Sequence, residues 1–212
     1  MRFFHDRADA GRQLAEQLRE YANRSDVVVL GLPRGGVPVA FEVASRLGAP
    51  LDVFLVRKLG VPGHSELAMG AIAPGGIEIL NHDLIDDLGI SPASVAQVAA
   101  SERLELERRN RVFRGDRATP ELTSKTAILV DDGLATGATM QAAVTALRRM
   151  GPAAIVVAVP VGAPDTCDRL RPLADRLICL TTPSSFSAVG QWYENFSQTT
   201  DNEVKQLLLR VS

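Results

Sequence analysis

Two adjacent carboxylates, Asp131 and Asp132, close the apolar run Ala127 to Val130 and open a turn of small residues, Gly133 to Thr139. Thr136-Gly137-Ala138-Thr139 can aim several backbone N–H groups and two hydroxyls at one phosphate, and the positive end of a following helix adds to the attraction. Gly137 permits a close backbone approach that a side chain would block. The two acids can hold sugar hydroxyls or the water shell of a Mg²⁺ ion. A buried strand that stops at paired acids and wraps such a loop before a helix therefore suits a phosphorylated sugar. Without the acids, a tight strand-to-helix turn would explain the loop equally well. The sequence has no Gly-x-x-x-x-Gly-Lys, which disfavours a nucleotide-hydrolysing P-loop.

Two further groups could serve an anion. In Leu32-Pro33-Arg34-Gly35-Gly36 the glycines free the backbone to present N–H groups, and Arg34 adds charge. Arg57 and Lys58 form a cation pair, whose plainer reading is a solvated strand end. The Gly- and Pro-containing stretch after them, 59–66, reads as a mobile loop carrying His64 and Glu66, which free surface residues explain as well.

The elements that must position these groups follow from periodicity. Asp6 caps a helix in which Ala10, Leu14, Leu18 and Tyr21 recur at helical spacing. The run 27–32 reads as a strand buried on both faces. A helix with Pro38 in its first turn follows and stops at Gly48. Residues 51–58 read as a second strand. Short strands around 69–73 and 77–80 flank the turn Pro74-Gly75-Gly76, and Ser91-Pro92 opens a helix to about Phe113. Its later half interleaves Glu and Arg, as a solvated face does. After the acid-tipped strand, a helix runs to Gly151-Pro152. A strand over 153–161, a helix near 164–173, a strand over 175–180 and a closing helix from about Asp201 to Arg210 complete the chain. Strands alternating with helices imply an α/β fold with a doubly wound, mostly parallel sheet flanked by helices. Ligands bind beyond the carboxyl ends of such strands, where Arg34, Arg57-Lys58 and Asp131-Asp132 all fall.

Composition narrows the classes. With 212 residues, 46% hydrophobic and 23% charged, the chain suits one substantial core. A net charge of −2 gives no overall pull toward nucleic acid or anionic membranes. Residues 103–117 hold the only basic candidate, diluted by Glu105 and Glu107. The N-terminus turns polar too soon for a signal peptide, and no apolar run approaches the roughly 20 residues that span a bilayer. Cys167 and Cys179 have neither metal-site spacing nor a Cys/His cluster. A cytoplasmic protein is expected.

The stretch 127–139 resembles the phosphoribosyl-diphosphate (PRPP) motif of type I phosphoribosyltransferases: hydrophobic residues, two acids, a short spacer, then Thr-Gly-x-Thr. The likeness covers about 30–160 with motifs in order. Val56 to His64 and Gly190-Gln191-Trp192-Tyr193 are similar to a group of bacterial members of unsettled substrate. The resemblance implies a single domain over 1–212, with a core at about 25–160, a flexible lid at about 59–68, and a C-terminal hood and helix at about 181–212. It also implies that Asp131 and Asp132 bind the ribose hydroxyls, and that Ala135, Thr136, Gly137, Ala138 and Thr139 bind the 5′-phosphate. Pro33, Arg34, Gly35 and Gly36 become the diphosphate loop, and Arg57 and Lys58 sit by the departing diphosphate. Mg²⁺ is the implied cofactor, held through PRPP and water near Asp131 and Asp132.

The implied reaction joins PRPP to a nitrogenous base. Ala135 stands where hypoxanthine and guanine enzymes carry an Asp, so the motif looks like the adenine-specific branch. Glu66 is the candidate general base. Trp192 and Tyr193 could stack on the base; packing of the closing helix explains them too. A homodimer is common in the resembled family. The rival reading is a PRPP- or nucleotide-sensing regulator on the same fold, which should show a basic stripe or an added DNA-binding module. A hydrolase would need a nucleophile or metal-ligand cluster beside the acids.

Overall fold

Side chains alternate across a strand, so a run that is apolar throughout must be buried on both faces. The runs 27–31 and 126–130 are buried at every residue. The computed structural model describes residues 3–115 and 117–211. The chain runs through α1 (Arg7–Glu16), β1 (Val27–Gly31), α2 (Gly36–Leu47) and β2 (Leu51–Val53). Next come β3 (Arg57–Val61), β4 (His64–Ala73), β5 (Ile77–Leu80), α3 (His82–Asp87) and α4 (Pro92–Arg114). It finishes with β6 (Thr126–Val130), α5 (Ala138–Arg148), β7 (Ala154–Val161), α6 (Pro164–Leu170), β8 (Arg176–Thr181) and α7 (Asp201–Arg210).

Five strands form a parallel sheet in the order β2-β1-β6-β7-β8. Val27, Val29, Ile128 and Val130 pack with α1, α2, α4 and α7. Their neighbours Val28, Leu30, Ala127 and Leu129 pack with α5 and α6 on the other face. The expected doubly wound sheet is therefore present. From β1 the chain steps outward to β2; from β6 it steps the other way to β7. The order reverses between β1 and β6, and that switch point is where open α/β sheets bind ligands. Gly31 pairs with Val130, so both strands end at one level.

Three local expectations change. Residues 51–58 are not one strand: β2 ends at Val53, and Phe54 to Val56 lead into a separate antiparallel sheet, β3-β4-β5. Residues 59–66 are not a loop, because β3 and β4 form a hairpin turning at Pro62-Gly63. Leu59 and Val61 supply the reason, being buried in the cluster that includes Val95 and Leu106 of α4. Nor is α4 simply a solvated charged helix at its end. Arg114 is 4% exposed, with Nε 3.1 Å from Asp52 Oδ1 and Nη2 donating to the Val53 carbonyl at 2.7 Å. Helix α3, capped by the Asn81 side chain, was not anticipated.

The hood has two ends rather than one. Phe4 N–H donates to the Trp192 carbonyl at 2.8 Å, and Glu194 N–H to the Phe4 carbonyl at 2.9 Å. The segment before α1 thus pairs with the tail.

Candidate active site

At the switch point the loop after β1 lies directly on the loop after β6. A Cβ on Gly36 would stand 2.6 Å from the Val130 carbonyl oxygen and 2.8 Å from Asp131 Cα. One on Gly35 would stand 2.0 Å from Asp132 Oδ2. Neither position has room for a side chain. The Pro33–Arg34 peptide is cis, and the Arg34 guanidinium, partly exposed, lies 3.8 Å from Asp201 at the start of α7.

The two acids differ. Asp131 Oδ1 accepts the Asp132 N–H at 2.9 Å, and no cation is paired with it among the described residues. Burial, then the neighbouring Asp132 charge, pushes its carboxyl well above the ordinary carboxylate range. Asp132 Oδ2 accepts from Arg7 Nε at 2.8 Å, with the two side chains 15% and 11% exposed. Burial raises the Asp132 carboxyl too, and the Arg7 charge opposes that rise. The Asp132 carbonyl accepts the Tyr193 hydroxyl at 2.6 Å, so the tail is fastened to the acid pair.

The loop after the acids is tied from behind. Leu134 N–H donates to the Val161 carbonyl at 2.9 Å. The Ala135 carbonyl accepts from Thr166 Oγ1 at 2.7 Å, and the Thr136 carbonyl from Arg169 Nη2 at 3.3 Å. The Ala135 and Thr136 carbonyls thus turn toward α6, and the loop runs into the first turn of α5, whose N–H groups have no intrahelical acceptor; the Ala138 N–H lies 3.5 Å from Thr136 Oγ1. Gly137, at φ 73°, caps that helix in the left-handed region. Ala135, Thr136 and Thr139 are exposed, and Ala138 is half-buried. Thr166 and Arg169 were absent from the sequence reading; nothing in their spacing marks them.

The cations separate. Arg57 pairs with Glu102 of α4 at 2.5 Å, yet it lines one narrow crevice with Pro33, Arg109 and Thr139. Arg109, assigned from sequence to a solvated face, thus borders both anion loops. Lys58 points the other way, because strand neighbours alternate. It pairs in register with Ala71, which with Ile79, Ala138 and Gln141 lines a groove of about 260 Å³ between β4–β5 and α5. Lys58 has no ion pair among the described residues. The hairpin tip carries His64, exposed, while the side chain of Glu66 lies outside the described residues.

Trp192 and Tyr193 are 3% and 6% exposed. Phe3 stacks on Trp192 with centroids 5.6 Å apart, and Tyr193 sits between Phe4 at 5.5 Å and Phe196 at 5.0 Å. Protein rings occupy the places a base would take against Tyr193, so packing, the alternative reading, describes this pair. The Trp192 indole N–H is buried without an acceptor among the described residues.

Comparison with known proteins agrees with this geometry. The phosphoribosyl transferase domain model matches residues 4–196. This chain belongs to that family. It is 50% identical over 210 residues to a Mycobacterium tuberculosis protein named "Putative phosphoribosyl transferase Rv0571c". That match takes in 99% of this chain and 47% of the relative, so the chain spans about half the length of the curated relatives it matches. The TT1426 protein from Thermus thermophilus is 42% identical, with a TM-score of 0.91 over all of both chains. The AQ2163 protein from Aquifex aeolicus, at 12% identity and a TM-score of 0.51 over 83% of this chain and 74% of that one, shares the fold.

Members of the family carry Mg²⁺ with PRPP by resemblance, and the donor set can be tested for it. Among the described residues no group of three or more His, Cys, Asp or Glu could cage a metal ion. Mg²⁺ commonly keeps several waters and is held by one or two carboxylates plus substrate phosphates. Asp131, with Asp132 Oδ1, fits that mode. No helix among the described residues is long and apolar enough to cross a membrane.

Proposed function

We propose that this chain transfers the phosphoribosyl group of PRPP to a nitrogenous base and releases diphosphate. The observation that carries the reading is the convergence at the β1/β6 switch point: the Asp131-Asp132 pair, a loop whose carbonyls are tied back to α6, and the Gly35-Gly36 turn pressed against the acids. The amides of Thr136 to Thr139 hold the 5′-phosphate, Asp131 and Asp132 the ribose hydroxyls, and the 33–36 loop the diphosphate. At C1′ the bond to the diphosphate oxygen breaks and a bond to the base nitrogen forms, with positive charge developing on the ribose ring. The acids favour that charge, while Arg34 and Arg57 favour the charge gathering on the leaving group. Mg²⁺, when bound with the diphosphate and met by Asp131 through water, supplies further neutralisation there. Holding both reactants in line provides much of the rate. Ala135, exposed and without a carboxylate, supports a base of the adenine type.

The test is a diphosphate-release assay with PRPP, Mg²⁺ and a panel of purines, pyrimidines and related heterocycles. Product with one base is the expected result. PRPP binding without product from any base would transfer the chain to the sensing role.

A further inference from the structure

Among the described residues, one carboxylate oxygen of Asp132 has no N–H donor paired with it. The Asp132 N–H goes to Asp131 Oδ1 at 2.9 Å and its carbonyl to the Tyr193 hydroxyl at 2.6 Å. Its Oδ2 is engaged by Arg7 Nε at 2.8 Å and walled by Gly35, where an added Cβ would be 2.0 Å away. Oδ1 is that oxygen. Arg7 is itself held at three points. Beyond Asp132, Nη1 donates to the Ser197 carbonyl at 2.7 Å, and the guanidinium carbon lies 3.9 Å from the centre of the Phe196 ring. A planar guanidinium stacked on a ring and bonded in two directions is fixed in place, as an ammonium would not be. At 11% side-chain exposure it is no loosely solvated partner that a sugar would displace.

We infer that Arg7 is a positioning residue for PRPP: it locks the Asp132 carboxylate so that Oδ1 alone faces the ribose, and it links that orientation to the closed hood. The inference rests on the reading of Asp132 as a ribose ligand. Arg7 lies at the start of α1, Ser197 and Phe196 lie in the tail, and Asp132 lies at the tip of β6, so one side chain joins both ends of the chain to the sugar-binding acid. In its absence Asp132 would rotate freely, and ordering it would fall to the ligand, weakening binding.

The test is a calorimetric cycle of four proteins titrated with Mg²⁺-PRPP: wild type, Arg7→Met, Asp132→Asn and the double variant, with Arg7→Lys added. Arg7→Met is expected to raise Kd about tenfold or more, the scale of one lost charge-assisted contact, with the fraction of binding-competent protein unchanged. On the Asp132→Asn background the same change should add little, because Arg7 acts through Asp132. Arg7→Lys should recover part of the loss. Three outcomes would overturn the inference: an unchanged Kd in Arg7→Met, effects that multiply independently in the double variant, or a loss confined to the competent fraction, which marks a merely structural role. Failure of the wild type itself to bind PRPP would instead overturn the proposed function on which the inference stands, so the two failures are separable.

Discussion

Asp131 and Asp132 are sequence neighbours whose carboxyls are both raised by burial, but only Asp132 has a paired cation, Arg7, to oppose the rise. Asp131 is half-buried with no ion pair among the described residues, and burial followed by the Asp132 charge pushes its carboxyl well above the ordinary range. The folded state therefore holds this proton to higher pH than the unfolded chain, which releases it near pH ~3.9. Stability from this group is full below that value and falls as pH rises toward the raised folded value. Asp131→Asn should remove the penalty and raise Tm by a few degrees at neutral pH, with a flatter dependence on pH. Asp132→Asn should do the reverse, since it strips a partly buried Arg7 of its partner; a loss of about 1–3 kcal/mol is expected, discounted from fully buried pairs. Thermal melts of both variants across acid to neutral pH check the pair, and shifts of the same sign would contradict it. The acid pair and the small-residue loop after it could be placed from sequence because they are contiguous. Arg7 was not, because its partner is 125 residues away and periodicity gives α1 only an apolar face.

At the scale of elements, glycine serves different needs at the switch point and in the β4–β5 turn. Gly35→Ala drives a methyl into Asp132 and to within 3.3 Å of Arg7 Nε, so it should weaken both PRPP binding and stability. Gly75→Ala is the control: its φ is 81°, but an added Cβ meets nothing within 4 Å, so it should cost only the ~1 kcal/mol of a left-handed residue. Binding titrations and denaturant unfolding of the two separate clash from backbone cost. For Arg57→Ala we expect turnover to fall more than PRPP affinity, since Arg57, unlike Lys58, lines the crevice between the two anion loops; equal losses would mean ground-state binding alone. The Gly-rich loops could be read from sequence because few other structures use such residues before a helix. The β3–β4 hairpin could not, because Gly60, Pro62 and Gly63 obscure the short alternation of Leu59 and Val61, whose burial depends on the distant helix α4.

At the scale of the molecule, the segment before α1 and the tail meet beside the Asp132 end of β6. Phe4 is fully buried, bonded to the backbone of Trp192 and Glu194. Phe4→Ala should cost about 3–5 kcal/mol of stability by leaving a cavity in the hood, and PRPP binding should weaken as the Arg7 anchor loosens. Chemical denaturation and a PRPP titration of the same variant check both parts. The alternation of strands and helices announced the layered sheet. The pairing of residues 3–5 with 192–195 had no signal in sequence, as tail aromatics look alike whether they cover a ligand or one another.

The most direct measurement is a calorimetric titration of Mg²⁺-PRPP into the wild type and Asp131→Asn. Saturable binding at one site per chain is expected in the wild type, with affinity at least about tenfold lower in the variant, whose fold is undamaged. No binding by the wild type, or equal affinity in the two proteins, would contradict the account.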